Sequence, residues 1–112
     1  MLTLFSSTEA EPVEVLSPPT FTRRLEDTST QEGSSFQLEA TVEGNPLPTV
    51  SWFKNGACID ESPDYVITFN NGECLLRFEE VFLEDEADYT CRASNDLGED
   101  TTKARLTVTG EE

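Results

Sequence analysis

The sequence predicts an all-β chain folded as an antiparallel two-layer sandwich. Three observations carry that expectation. Short runs alternate apolar and polar residues, so each strand has one face to bury and one to wet. Turn-forming residues interrupt the runs at roughly the spacing expected of a sandwich. No segment keeps the period of a long amphipathic helix.

Residues 1–17 are rich in Ser, Thr and Glu, contain Pro12, and hold no sustained apolar period. They are expected as a flexible leader or linker. A folded domain over residues 18–110 and a tail at 111–112 complete the expected organisation. Pro18-Pro19 stiffens the entry to the domain. Phe36, Leu38, Ala40 and Val42 then alternate with Gln37, Glu39, Thr41 and Glu43, as a strand buried on one face does. Gly44-Asn45-Pro46-Leu47-Pro48 turns the chain. In the next strand Val50, Trp52 and Lys54 share one face and Ser51 and Phe53 the other. Asn55-Gly56 is a hairpin signal, because both residues tolerate positive φ. A short strand is expected around Cys58 to Asp60, and Tyr65, Ile67 and Phe69 alternate in the one after. Asn70-Asn71-Gly72 turns again. Cys74, Leu76 and Phe78 line one face, with Val81 closing the run. A short helical turn is expected near Leu83 to Glu86. Ala87, Tyr89, Cys91 and Ala93 form the next buried face. Asn95-Asp96-Leu97-Gly98 turns, with Gly98 able to supply positive φ. Ala104, Leu106 and Val108 close the fold, giving about eight strands.

Composition narrows the chemistry. The chain of 112 residues fits one domain of ordinary size. It has no His, which excludes His-based catalysis and His metal ligands. Acidic residues outnumber Lys and Arg by 23 to 7. That balance repels phosphate backbones and anionic bilayers, so neither nucleic acid nor membrane is an expected partner. No stretch is long and apolar enough to span a bilayer as a helix. Glu79-Glu80 and Glu84-Asp85-Glu86 with Asp88 lack the loop spacing of a calcium motif and are expected as solvated surface. No nucleophile elbow, phosphate loop or Cys–His pair is present. The catalytic, cofactor-binding and metal-binding residue sets are accordingly all expected to be empty, and no cofactor is called for. Arg23-Arg24, the one adjacent basic pair, is expected on a solvated edge or against a neighbouring domain.

Trp52, then Asp85-Glu86-Ala87-Asp88-Tyr89-Thr90-Cys91, have the order and spacing of an immunoglobulin domain, the latter resembling its Asp-x-Gly-x-Tyr-x-Cys segment. Gly44 to Gly56 and Ala93-Ser94-Asn95-Asp96-Leu97-Gly98 are similar to the corresponding parts of I-set domains. Pro18-Pro19-Thr20-Phe21-Thr22 resembles their first strand. The resemblance implies an immunoglobulin-like (I-set) Greek-key sandwich with Trp52, Leu76, Phe78, Tyr89, Cys91 and Ala40 in the core. It makes Asp85 the turn acid, Gly98 a turn residue and Tyr89 the corner tyrosine. The nearest resemblance is to intracellular domains of titin and of the palladin, myopalladin and myotilin group. Ala87 departs from the usual Gly, a small change at a tight place.

Ala40 stands where the family's first disulfide cysteine would be, which leaves Cys91 without its usual partner. No disulfide is therefore expected, and about 4 kcal/mol of loop-closure stabilisation is forgone. This suits a reducing, cytoplasmic compartment. Cys74 and Cys91 are expected in the core and Cys58 nearer the surface. Three free thiols are expected in preference to a redox switch that would pair two of them. No Asn lies in an N-glycosylation pattern. The resemblance implies a non-catalytic structural or protein-interaction module of a multi-domain sarcomeric or actin-associated scaffold, placed at the Z-disc, the I-band or the actin cytoskeleton. It implies neighbouring domains and cytoskeletal proteins as partners, and a monomeric isolated domain. An extracellular adhesion or receptor domain and a regulatory domain of a muscle kinase are the alternatives. The missing disulfide and glycosylation sites weigh against the first, and only flanking sequence separates the second.

Overall fold

The computed structural model describes residues 14–110. Most of the expected leader, and the expected tail, lie outside the described residues. Ser17, at the leader's last position, pairs with Asn45 and opens the first strand.

Nine strands form rather than about eight. They are β1 (Ser17–Arg23), β2 (Thr28–Gln31), β3 (Phe36–Asn45), β4 (Thr49–Lys54), β5 (Ala57–Cys58), β6 (Val66–Asn70), β7 (Glu73–Phe78), β8 (Ala87–Asn95) and β9 (Gly98–Thr109). A 3-10 turn spans Leu83–Asp85. The additional strand is β2, Thr-Ser-Thr-Gln, which has no apolar alternation to announce it. The short strand expected around Cys58 to Asp60 is instead Ala57–Cys58. Beyond it the chain is held to β4 by the Ile59 N–H donating to the Trp52 carbonyl at 3.0 Å and by the Asp60 carboxylate accepting from the Trp52 N–H at 2.8 Å.

One sheet has the order β1-β3-β7-β6 and the other β2-β9-β8-β4-β5. All pairings are antiparallel except β2 with β9, which is parallel with Thr28 opposite Leu106 and Gln31 opposite Thr109. The N-terminal strand segment is thus split, β1 belonging to one layer and β2 to the other. Two hairpin turns use left-handed backbone: Asn55 and Gly56 (φ 51° and 86°) between β4 and β5, and Asn71 and Gly72 (φ 52° and 88°) between β6 and β7. The primed turns these angles produce match the twist of the flanking strands.

Alternation places the core. From β3 come Leu38, Ala40 and Val42; from β7 Cys74, Leu76 and Phe78; from β8 Ala87, Tyr89, Cys91 and Ala93; from β9 Ala104, Leu106 and Val108. Trp52 from β4 sits at the centre, fully buried, with Phe36, Ile67 and Phe69 packed around the margin. Such burial is worth about 25 cal/mol per Å² of apolar surface removed from water, and it is the main force holding the two layers together.

Candidate functional site

The chemistry of this domain is concentrated in a polar corner, a pair of end strands and a pair of core thiols. At the corner, the Tyr89 hydroxyl donates to the Asp85 carbonyl at 2.5 Å. The Asp85 carboxylate accepts from the Phe82 N–H at 2.8 Å and so caps the 3-10 turn. Phe78 meets Tyr89 edge-on at 5.5 Å and Tyr65 edge-on at 5.1 Å, the geometry aromatic quadrupoles prefer. Burial pushes the Tyr89 phenol above its ordinary pKa, and Tyr65 and the Asp85 carboxylate add to the shift.

At the ends of the chain, β2 lies along β9 in parallel register. The Glu32 N–H extends the ladder to the Thr109 carbonyl at 2.8 Å, and the Thr109 hydroxyl donates to the Thr30 carbonyl at 3.3 Å. Carboxylates reinforce the same strand: Asp27 accepts from the Arg105 N–H at 2.8 Å and Glu86 from the Val108 N–H at 2.9 Å. On the other layer Asp100 accepts from the Phe21 N–H at 2.9 Å, fixing β1 to β9. Charge-assisted bonds of this kind are shorter and stronger than neutral ones. The acidic cluster around Glu84 to Asp88, expected as solvated surface, is therefore partly structural. Asp85 is only 8% exposed, and Glu86 and Asp88 also face Arg105. The sequence carried little signal for this, since each acid serves a backbone group that is remote in the chain or set by a turn.

Arg23 and Arg24 are committed to their own domain. Arg23 pairs with Glu39 at 2.7 Å, and Arg24 bonds Asp100 at 2.9 Å and the Thr101 carbonyl at 3.0 Å. The remaining surface is strongly acidic. One open groove of about 340 Å³ is lined by Pro63, Val66 and Phe82 and rimmed by Asp64, Glu79 and Glu80. Among the described residues no group of Cys, Asp and Glu is arranged to hold a metal ion, and no helix is long and apolar enough to cross a membrane.

Trp52, Leu76, Phe78, Tyr89, Cys91 and Ala40 all lie in one buried cluster, whereas Gly98 is exposed at the start of β9. Trp52 is opposite Cys91 in register, and Ala40 is opposite Cys74. The Trp52 indole N–H has no hydrogen-bond partner among the described residues, a deficit of about 1–3 kcal/mol offset by the packing of the ring. All three cysteines are free thiols; Cys58 is exposed and the other two are buried. Gly72 was legible only as a turn residue, yet it is the tightest glycine in the fold. A Cβ there would lie 2.6 Å from the Val42 carbonyl oxygen, which is backbone and cannot yield.

The immunoglobulin I-set domain model matches residues 19–108. Telokin of Meleagris gallopavo is 42% identical over 91 residues, covering 80% of this chain and 59% of telokin. Palladin of Homo sapiens is 39% identical over 100 residues, covering 82% of this chain and 7% of palladin. Among solved structures, titin domains Z1Z2 in complex with telethonin superpose with a TM-score of 0.82 at 33% identity, covering 88% of this chain and 51% of that one. The chain thus spans about three-fifths or less of the length of each of these relatives.

Proposed function

Because the chain belongs to the immunoglobulin I-set family, whose members include domains of muscle cytoskeletal proteins, we propose that it is a non-catalytic mechanical and docking module of a sarcomeric or actin-associated scaffold. The observation that carries the reading is the parallel pairing of β2 with β9. A module in an array is pulled from its two ends. Force from the N-terminal side passes through β1 to the start of β2, and it leaves at the end of β9. In parallel register those two ends lie at opposite extremities of the ladder, so its hydrogen bonds are loaded together in shear rather than opened one by one. The Asp27 and Glu86 carboxylates, each accepting from a backbone N–H of β9, hold that strand while the load is applied. The titin relative in complex with telethonin supports protein partners, and the acidic surface favours a basic one.

Single-molecule stretching of tandem copies tests this. Each copy should unfold in one force peak and release the segment Ser17 to Thr109, roughly 30 nm at about 3.3–3.6 Å per residue. Thr30→Pro, which deletes a β2 N–H, should lower the peak force markedly. Unfolding without a resolvable peak, or an unchanged force in the variant, would remove the mechanical role.

A further inference from the structure

The groove where β6 begins and β7 ends is built of side chains that the core does not need. Pro63 and Val66 line it from the chain entering β6, and Phe82 lines it from the chain leaving β7. Phe82 is 47% exposed and Leu83, beside it, 51%. Their backbone is nonetheless fixed. The Phe82 N–H donates to the Asp85 carboxylate at 2.8 Å, and its carbonyl accepts from the Asp85 N–H at 2.9 Å. Val81, one residue earlier, donates to the Ser34 carbonyl and accepts from the Gly33 N–H, both at 2.8 Å. An aromatic ring is thus presented to water from a rigid support, and an anchor held in place beforehand loses little freedom on binding. Uncompensated charge surrounds it. Asp64, Glu79 and Glu80 rim the groove. Among the described residues none of the three is in an ion pair, because the cations are engaged elsewhere. Arg23, Arg24, Arg92, Lys103 and Arg105 pair with other carboxylates, and Lys54 donates to the Glu84 carbonyl at 2.8 Å. The cation beside the groove is Arg77, exposed on β7 and opposite Val66 in register.

We propose that this groove docks a basic segment of a partner protein, with one apolar side chain set against Phe82 and Val66 and flanking Lys or Arg residues set against Asp64, Glu79 and Glu80. The inference deepens the docking half of the function proposed above and rests on it. Charge complementarity selects the occupant. Three unpaired carboxylates around an apolar floor attract cations and repel acidic chains. Like charge rules out a second copy of this chain, whose net charge is −16 and whose adjacent basic pair, Arg23-Arg24, is bonded within its own domain. Size narrows the occupant further. A volume of about 340 Å³ lies at the low end of small-ligand sites, about 300–1,000 Å³. It admits one aliphatic or aromatic side chain and not the face of a folded domain. Arg77 repels cations on its own side, so the segment's basic residues meet the Glu79 and Glu80 side of the rim. An Arg of the segment placed over the Phe82 ring adds a cation–π contact. The carboxylates steer the encounter, and the anchor against Phe82 decides which basic segments stay.

The test titrates the full chain against a fluorescein-labelled peptide with a central Phe between two Lys-Arg pairs, followed by fluorescence anisotropy. A twin peptide carries Ser in place of Phe. The Phe peptide should bind, more weakly as salt rises. Its affinity should fall roughly fivefold or more in Phe82→Ser, as for an interface anchor, and by a similar factor in the double variant Glu79→Gln with Glu80→Gln. The Ser peptide should bind the unaltered chain roughly fivefold more weakly or worse. Glu43→Gln with Glu73→Gln removes the same charge from exposed positions at the other end of the sheet and should leave the affinity unchanged. Unchanged urea midpoints show that the variants are folded. Equal binding of the two peptides, or equal losses in the two double variants, would reduce the contact to net charge and overturn the proposal. Absence of binding by the Phe peptide would overturn it too. Peptide binding that survives Phe82→Ser would place docking on another face and strike this site alone, while the stretching force, read separately, tests the mechanical role.

Discussion

Replacing Tyr89 by Phe removes one oxygen atom and nothing else from the corner. The ring, fully buried and set edge-on to Phe78 at 5.5 Å, keeps its place. What is lost is the hydroxyl bond to the Asp85 carbonyl at 2.5 Å. The bond itself is worth about 1 kcal/mol net, and a buried carbonyl left without a donor costs a further 1–3 kcal/mol or so. Asp85 is almost buried, so water reaches that carbonyl poorly and the penalty is largely realised. The expected loss is about 2–3 kcal/mol. A domain of this size loses roughly 4–8 °C of Tm for each kcal/mol, so Tm should fall by roughly 10–20 °C. Urea unfolding followed by Trp52 fluorescence measures the loss directly. The m-value should not change, because the packing and the surface exposed on unfolding are the same. A loss below about 0.5 kcal/mol would show that the corner bond is replaceable and that this accounting of buried polar groups is wrong here.

Gly72→Ala should cost about 2 kcal/mol or more, since it combines a positive φ with a Cβ 2.6 Å from the Val42 carbonyl. Gly56→Ala, at nearly the same φ with open space around it, should cost about half as much; equal losses in the two melts would discount the close approach. Leu76→Ala, at a fully buried site facing Leu38 in register, should cost about 2–5 kcal/mol in urea titration, and a smaller loss would mean that the sandwich collapses into the cavity. Stability should also respond to alkaline pH. Burial raises the Tyr89 pKa in the folded state above its unfolded value near 10. Below that unfolded value both states hold the proton and stability is full. Above it the unfolded chain releases the proton first, and stability falls. Urea midpoints measured across this range should decline less steeply in Tyr89→Phe; identical slopes would assign the decline to other groups.

Strands whose residues alternate cleanly were legible in the sequence. Phe36 to Val42, Cys74 to Phe78, Ala87 to Ala93 and Ala104 to Val108 each place their apolar set on the inner face, because one buried face imposes a two-residue period. The turn at Leu83 was legible as well, in the break of that period. Strand β2 was not. Its four polar residues form a strand because β9 offers an unpaired edge, and that edge is made by residues nearly eighty positions away. The same distance hid the duties of Asp27, Glu86 and Asp100, which look like solvent-facing charges until the chain folds and brings backbone N–H groups to them. Cys74 and Cys91 each read as a core residue from its own strand. That they belong to different sheets depends on how the strands order into layers, which no single strand encodes.

The strands that end each sheet bear on how such a domain survives among copies of its own kind. Exposed ladder edges are templates for pairing with foreign chains, and neighbours joined by a short linker face one another at effective concentrations of roughly millimolar. Here β5 has two residues, β2 has four polar ones, and β1 carries Pro18 and Pro19 and breaks register twice. Only β6, with five residues, offers a regular outer edge. A misfolded partner seeking to exchange strands would find three of four edges too short, too polar or too irregular to extend. Resistance to co-aggregation is thus set at the rims of the sheets, largely independently of how well the core is packed.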